Sequence, residues 1–571
     1  MRYDLNTRFC FQGRILIQGC GSVAQCLLPL ILRHFDMPAD RILVIDKEDK
    51  RQEIADALAT GVRFEQIEIT PDNYAQFLNR NLSAGDLLID VAWNIETLSL
   101  LEWAHQTGVL YINTSVEEWD PYSKVGAAQT LYARQMKIRQ LVASWNNRHQ
   151  GPTAVLDHGA NPGLVSHFVK VALLQIAQKI LDEKPEDTRV ASLREAIDSG
   201  AFNQLAMLTG TKVIHISERD TQVTSLPKRP NEFVNTWSIE GFYEEGIAPA
   251  ELGWGTHEKR LPVDACHHQR GPQNQIYLDN HRGMDTLVRS WVPGGQIHGM
   301  VIRHGEAFSI SEYLTVRDSK RRLLYRPTVH YAYWPTDSAV ASLYELRARN
   351  LVLQDNLRIM TNEVTDGADI LGCLLMGHDF GAWWIGSTLD IHETRRLLHG
   401  QNPTTLQVAS SMLGALNWML RNPNRGVNLP DQLPHEEILA VSRPYLGPIF
   451  SQAIDWRPNP QIPVEDEQWQ FDSFLINHDP AQFWLPDGTV DSAQQSYIAD
   501  WVAAGKVRFM YGVCWPRARF NLFNATFARA GVYRERLEDF HRPERYGIAG
   551  LRPCQRIWRT WNRNAQRDHR A

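Results

Sequence analysis

Two groups of residues in this chain have types and spacings suited to chemistry. The first is Gly19-Cys20-Gly21-Ser22-Val23-Ala24, a G-x-G-x-x-A run set behind an aliphatic stretch at 15–17. In a strand–turn–helix unit Gly19 permits the tight turn, Gly21 lets the backbone close on a pyrophosphate, and Ala24 lets the helix pack against its strand. The anion rests on the helix N-terminus, where free N–H groups and the dipole favour negative charge. Asp46 closes a second aliphatic run at 42–45 and is placed to accept from a ribose 2′-hydroxyl. A 2′-phosphate would be repelled by that acid, so the pattern favours NAD over NADP.

The second group is acidic and aromatic. Glu117 stands in Ser115-Val116-Glu117-Glu118-Trp119, Asn161 in His158-Gly159-Ala160-Asn161-Pro162-Gly163, and Glu218 in His215-Ile216-Ser217-Glu218. Trp237 precedes Glu244, Glu245 and Glu251, and His304-Gly305-Glu306 follows a further strand-like run. Taken singly, each Glu reads as a solvated loop residue, Trp237 as core and His304 as surface. Their chemistry requires that they meet in one cleft. Many carboxylates with a tryptophan and no evident arginine pocket suit a cation, because an ammonium pairs with carboxylates and stacks on an indole face. Beside NAD, such a cation is an amine presenting a C–H for hydride removal. There is no H-E-x-x-H, no C-x-x-C and no G-x-S-x-G, so metal sites and a serine elbow are not supported.

These residues need a scaffold, and 571 residues are too many for one core. Strand-like and helical runs alternate through residues 1–155: strands at 64–69, 86–91, 109–112 and 155–156, helices at 96–107 and 127–145. That order implies an α/β fold with a Rossmann doubly wound parallel sheet, which binds ligands beyond the carboxyl ends of its strands. Strand-like runs dominate residues 156–400, at 212–217, 233–238, 296–303, 307–316 and 328–333. They suggest a second α+β domain with a mixed or antiparallel sheet, for substrate binding and dimerisation. A helix near 404–422, stopped by Asn422-Pro423, is placed to return over the first domain. Residues 423–571 read as a wrapping linker and a C-terminal extension rich in Trp, Phe and Arg. The uncharged stretch 15–32 is broken by Gly19, Gly21 and Pro29, which disfavours a membrane span.

The net charge of −6 does not favour nucleic acid or anionic lipid. Arg556, Arg559, Arg563, Arg567 and Arg570 share one helical face, read as a solvated or docked basic face rather than a nucleic-acid contact. Seven scattered cysteines and no signal-peptide pattern suggest a reduced, cytoplasmic protein.

The chain resembles the bacterial homospermidine synthases, of the saccharopine-dehydrogenase-like fold. The resemblance covers roughly the first 450 residues and rests on long motifs: Gly19–Ala24, Asn113-Thr114-Ser115-Val116-Glu117, His158–Gly163, residues 213–220, 232–238, 249–258, 326–331 and 375–378. It implies a transferase in which putrescine loses a hydride to NAD, the imine is captured by a second putrescine with loss of ammonia, and the resulting Schiff base is reduced by the same cofactor. It further implies a homodimer. Glu117, Asn161, Glu218, Trp237 and His304 would form the catalytic set, with Glu117, Glu218 or His304 moving protons. Asn94, Glu245, Glu306 and Asp369 would contact the diamine. Gly19, Gly21, Ser22, Val23, Ala24, Asp46 and Thr114 would hold NAD.

Two positions depart from the family pattern. Glu118 replaces a proline, and Asn94 stands where an acid is expected on the substrate side, which leaves the preferred diamine open. Two other readings stay open: a saccharopine- or carboxynorspermidine-type dehydrogenase with net NAD(P) turnover, whose α-carboxylate substrates need cleft arginines, and a non-catalytic NAD-binding protein.

Overall fold

Strands buried on both faces read as unbroken apolar runs, and the first such set builds a parallel sheet. The structure, a computed structural model, describes residues 8–146, 150–460, 462, 465–476 and 483–484. Strands β1 (Ile15–Gln18), β2 (Ile42–Asp46), β3 (Arg63–Gln66), β4 (Leu87–Asp90), β5 (Leu110–Asn113) and β6 (Ala154–Val155) pair in parallel, in the order β6-β5-β4-β1-β2-β3. Alternation sends Ile15, Ile17 and Val44 to one face, under α1 (Ser22–His34). Leu16, Leu43 and Ile45 go to the other, under α2 (Thr97–Thr107). The stretch 15–32 is thus strand, turn and core helix. Helix α3 (Leu131–Ser144) follows β5, its N-terminus capped by the Thr130 hydroxyl accepting from the Ala133 N–H at 3.2 Å.

The second sheet is mixed. It contains β7 (Val213–Asp220), β8 (Pro249–Gly253), β9 (Ala265–His267), β10 (Gln275–Arg282), β11 (Leu287–Val292), β12 (Gly295–Met300), β13 (Thr328–Trp334), β14 (Ala368–His378) and β15 (Gly381–Asp390). Its central order is β9-β10-β8-β13-β7-β14-β15, with the β11–β12 hairpin joined through Met300 and Tyr333. Only the β7–β13 pair is parallel among these.

Helix α4 (Leu164–Glu183) lies across this sheet, with Phe168, Leu173 and Ile176 in the same core as Ile214, Ile216 and Leu375. It is long and apolar enough to cross a membrane, but 67% of its apolar window is buried inside the protein. Strand-based reading of residues 156–400 passes over this helix and over Val190–Ser199 and Phe202–Thr209. Helices α5 (Ile239–Ile247) and α6 (Gly305–Tyr313) complete the domain. Residues 307–316, expected as a strand, form most of α6. Ala307, Ile310 and Leu314 recur at intervals of three and four and are all buried, which is helical spacing.

Helix α7 (Pro403–Arg421) begins where expected, with the Asn402 side chain accepting from the Thr405 N–H at 2.8 Å and Pro403 in the first turn. Leu406, Met412, Leu413 and Leu416 share one core with Leu27, Leu28 and Ile31 of α1. The next segment is no linker. Strand β16 (Val427–Asn428) pairs in parallel with β6, α8 (His435–Ser442) packs on α7, and β17 (Ile449–Ile454) pairs antiparallel with β15. Gly414 permits the α7–α8 approach: a Cβ there would stand 2.9 Å from Ile438 and from the Ser442 hydroxyl. The basic face at Arg556–Arg570 lies outside the described residues.

Candidate active site

The strand order of the first sheet reverses between β1 and β4, and a crevice opens beyond their carboxyl ends. It is part of a cavity of about 690 Å³ that runs from the glycine turn to β7, α5 and the start of α6.

At one end the wall is made by Gly19, Gly21, Ser22, Val23 and Asp46, with Asn94 and Thr114 further along. Gly19 has φ +90°, and a Cβ on it would stand 2.8 Å from the Ala92 Cα, so only glycine fits. A Cβ on Gly21 would meet nothing within 4 Å: this side of the turn is open space for a ligand. No side chain caps the first turn of α1 and no acid lies in it, so its N–H groups are available to an anion. Asp46 accepts from the Cys20 N–H at 2.7 Å and from the Glu48 N–H at 2.9 Å, which fixes its carboxylate at the end of β2. Ala24 faces the core of the first sheet. The residues present fit a bound dinucleotide.

At the other end, Glu117, Asn161, Glu218, Trp237, Glu245 and His304 share the wall. Nine carboxyl side chains line the whole cavity against three lysine or arginine side chains. Glu117 is held by its own N–H donating to the Thr97 hydroxyl at 2.9 Å and by the Ser115 hydroxyl donating to Oε1 at 2.7 Å. Its Oε2 is buried with no hydrogen-bond partner, as is Asn94 Oδ1, in a residue at φ +58°. Two buried acceptors facing one cavity without donors suit a ligand that brings N–H groups. Burial pushes the Glu117 carboxyl up, and Arg134 opposes that.

Glu218 lies within β7 rather than at its end. It accepts from Asn161 Nδ2 at 3.0 Å and from the Tyr331 hydroxyl. Burial raises its carboxyl to about 7. Trp237 is steered by its Nε1–H donating to the Tyr333 hydroxyl at 3.0 Å. The Ser238 hydroxyl caps α5 by accepting from the Gly241 N–H at 3.1 Å, which turns Glu244 and Glu245 toward the cavity. His304 lies between Glu245 (Nε2, 3.0 Å) and Glu306 (Nδ1, 3.3 Å). Burial works against its charge, but the two carboxylates outweigh burial and hold the imidazole well above its usual range.

Two expected substrate contacts are displaced from the cavity. Glu306 is fully buried behind His304. Asp369 is fully buried on β14, where it accepts from the Thr404 hydroxyl at 2.6 Å and lies close to Glu218. Burial, then the charges of Glu218 and Asp220, push its carboxyl well up.

The expectation of no arginine pocket also needs correction. Arg134 lines the cavity, and Arg303 is fully buried beside it; both reach Glu244, Arg134 at 2.7 Å. The two guanidiniums are committed to that carboxylate and to the carbonyls of Val116 and Gln129. Glu118, the departure from the family proline, lies outside the cavity wall among Lys124, Lys137 (2.6 Å) and Arg134 (3.4 Å). Glu251 serves structure: it accepts from the Leu131 and Tyr132 N–H groups at the start of α3.

Family models match both halves of the chain: the saccharopine dehydrogenase NADP binding domain over residues 15–155, and the saccharopine dehydrogenase C-terminal domain over residues 159–453. Over 480 residues the chain is 41% identical to a homospermidine synthase of Blastochloris viridis, covering 81% of this chain and 97% of that relative. The chain belongs to the homospermidine synthase family. A second member, from Mesorhizobium japonicum, is 38% identical over 477 residues, 81% of this chain and 96% of that relative. A solved homospermidine synthase from Legionella pneumophila in complex with NAD matches with a TM-score of 0.73 and 38% identity, covering 83% of this chain and 100% of that one. Asp157, Arg134, Arg303, Tyr331 and Tyr333 complete the site and were not selected from the sequence. For Asp157 a signal existed: it is an acid just past the end of a strand in the parallel sheet, where such folds bind ligands.

Proposed function

We propose that this chain joins two putrescine molecules into homospermidine with release of ammonia, an aminobutyl transfer that uses NAD without consuming it. The observation that carries this reading is one continuous cavity, with a dinucleotide-binding turn at one end and a carboxylate-rich, tryptophan-walled chamber at the other. Bound NAD supplies a hydride acceptor that later returns the hydride. Gly19, Gly21, Ser22, Val23, Asp46 and Thr114 are the residues we assign to holding it.

In the chamber, Glu117 Oε2 and Asn94 Oδ1 accept from the amine, and Glu245 faces the distal ammonium. The C=N forms of the substrate are most reactive when protonated, so preorganised carboxylates and the face of Trp237 stabilise charge where it develops. Glu218, with a carboxyl near neutrality, exchanges the proton at the C=N nitrogen. Glu306 and Asp369 act behind His304 and Glu218 rather than on substrate. A dehydrogenase acting on α-carboxylates needs a free arginine in the cleft. Among the described residues only Arg134 lines the wall, and it is already paired with Glu244. We place the enzyme in the cytoplasm as a homodimer; its mass in solution tests the assembly.

The direct test incubates purified protein with putrescine and substoichiometric NAD. Homospermidine and ammonia should appear in equal amounts over many turnovers per NAD. NADH accumulating with amine consumed would overturn the reading. Trp237→Ala should slow turnover about fivefold or more, the loss of at least ~1 kcal/mol of cation–π stabilisation; an unchanged kcat would remove that role. Asp46→Ala should weaken NAD binding in fluorescence titration and narrow the preference over NADP; unaltered affinity would misplace the adenosine ribose.

A further inference from the structure

We propose that Asp157 takes the proton from the substrate ammonium before oxidation and gives it back to the departing ammonia. The proposal rests on the diamine reading above. Asp157 lies in the bend after β6, buried, on the cavity wall. Its φ of +57° is in the left-handed region, an expense for a non-glycine residue that persists only where neighbours impose it. Here they do: its N–H donates to Asn113 Oδ1 at 2.9 Å, and its Oδ2 accepts from Gln135 Nε2 at 2.8 Å. Gly305 backs the carboxyl so closely that a Cβ there would stand 3.0 Å from Oδ2. Oδ2 is therefore fixed, while Oδ1 has no hydrogen-bond donor among the described residues.

The charged groups around it come from three elements: Glu117 after β5, Arg134 on α3, and His304 and Glu306 at the start of α6. Burial, then Glu306 and Glu117, push the carboxyl up to about 7, against the pull of His304 and Arg134. A carboxyl at that level both accepts and donates near neutrality, which suits a group that must do each once per turnover.

The chemistry requires such a group. A hydride cannot leave the carbon beside an –NH3⁺, because the nitrogen has no lone pair to form the C=N bond. In the proposed step one N–H bond breaks, its electron pair stays on nitrogen, and the proton joins Asp157 Oδ1, giving a neutral amine and a neutral carboxyl. When the second amine displaces ammonia, the carboxyl O–H breaks toward that nitrogen, ammonium leaves, and the carboxylate is restored. As pH falls through about 7 the carboxyl is protonated before substrate arrives, so turnover falls on the acid side.

The test is Asp157→Asn, which tolerates the left-handed backbone and keeps an acceptor for Gln135. We expect kcat to fall about a hundredfold or more with KM little changed. Infrared spectra of the ligand-free protein, titrated across neutrality, should lose one protonated-carboxyl band in the variant. Gly305→Ala, which crowds Oδ2 but keeps the carboxyl, should shift that band and lower kcat by less. Wild-type turnover in Asp157→Asn, or an unchanged infrared titration, overturns the proposal. A wild-type protein that makes no homospermidine overturns the diamine reading instead; the two failures are separable because the infrared titration needs no substrate.

Discussion

Glu218→Gln should lower homospermidine formation by about 10²–10⁴-fold, the usual contribution of a positioned general acid–base. The substitution is close to isosteric. The new amide oxygen still accepts from Asn161 or Tyr331, and the new N–H group turns to Asp369, which already faces this side chain. The fold and the nucleotide end of the cavity should survive, so NAD affinity serves as the control. Burial holds Glu218 at about 7, so in the wild type this carboxyl gains and loses a proton at working pH; an amide does neither. Turnover within tenfold of wild type would remove Glu218 from the proton traffic and leave Glu117 or His304 to carry it.

The largest stability effect is expected at Glu244. Its carboxylate lies between Arg134 and Arg303, and all three side chains are nearly or wholly out of solvent. Glu244→Gln removes the one negative charge in contact with Arg303 among the described residues. Arg134 keeps Glu118 at 3.4 Å, whereas among the described residues Arg303 retains only the Gln129 carbonyl. Breaking a buried pair on one side costs about 3–5 kcal/mol, since a desolvated charge is left uncompensated. Denaturant unfolding should show a midpoint lowered accordingly with little change in slope. Replacing Glu244 and Arg303 together with apolar residues should recover part of the loss, because the stranded guanidinium is then gone. A Glu244→Gln variant as stable as wild type would mean that water reaches Arg303.

Local signals carried the first domain. The G-x-G-x-x-A turn, the acid at 46 and the apolar strands are short-range patterns, and α7 announced itself through the Asn422-Pro423 stop. Residues 307–316 misled because Phe308, Ile310 and Leu314 look like strand residues until their spacing is measured against a core. The stretch 427–454 looked like a linker because β16 is two residues long and draws its pairing from β6, far back in the chain.

The site divides in the same way. Glu117, Asn161, Glu218, Trp237, Glu245 and His304 were named from the sequence, and the fold brings them to one wall. Glu306 and Asp369 were assigned to substrate, yet each lies one layer deeper, a distinction set by side-chain direction rather than by residue type. Arg134 and Arg303 meet Glu244 across 110 and 59 residues, and no spacing rule could have paired them.

The polypeptide passes between the two sheets three times among the described residues: after β6, again between β15 and α7, and once more between β16 and β17. In two halves stitched together this often, any relative motion must bend all three crossings at once. The glycine turn and the acidic chamber are carried by halves that the chain joins at three separate places. Small-angle scattering with and without NAD should therefore show little change in overall dimensions.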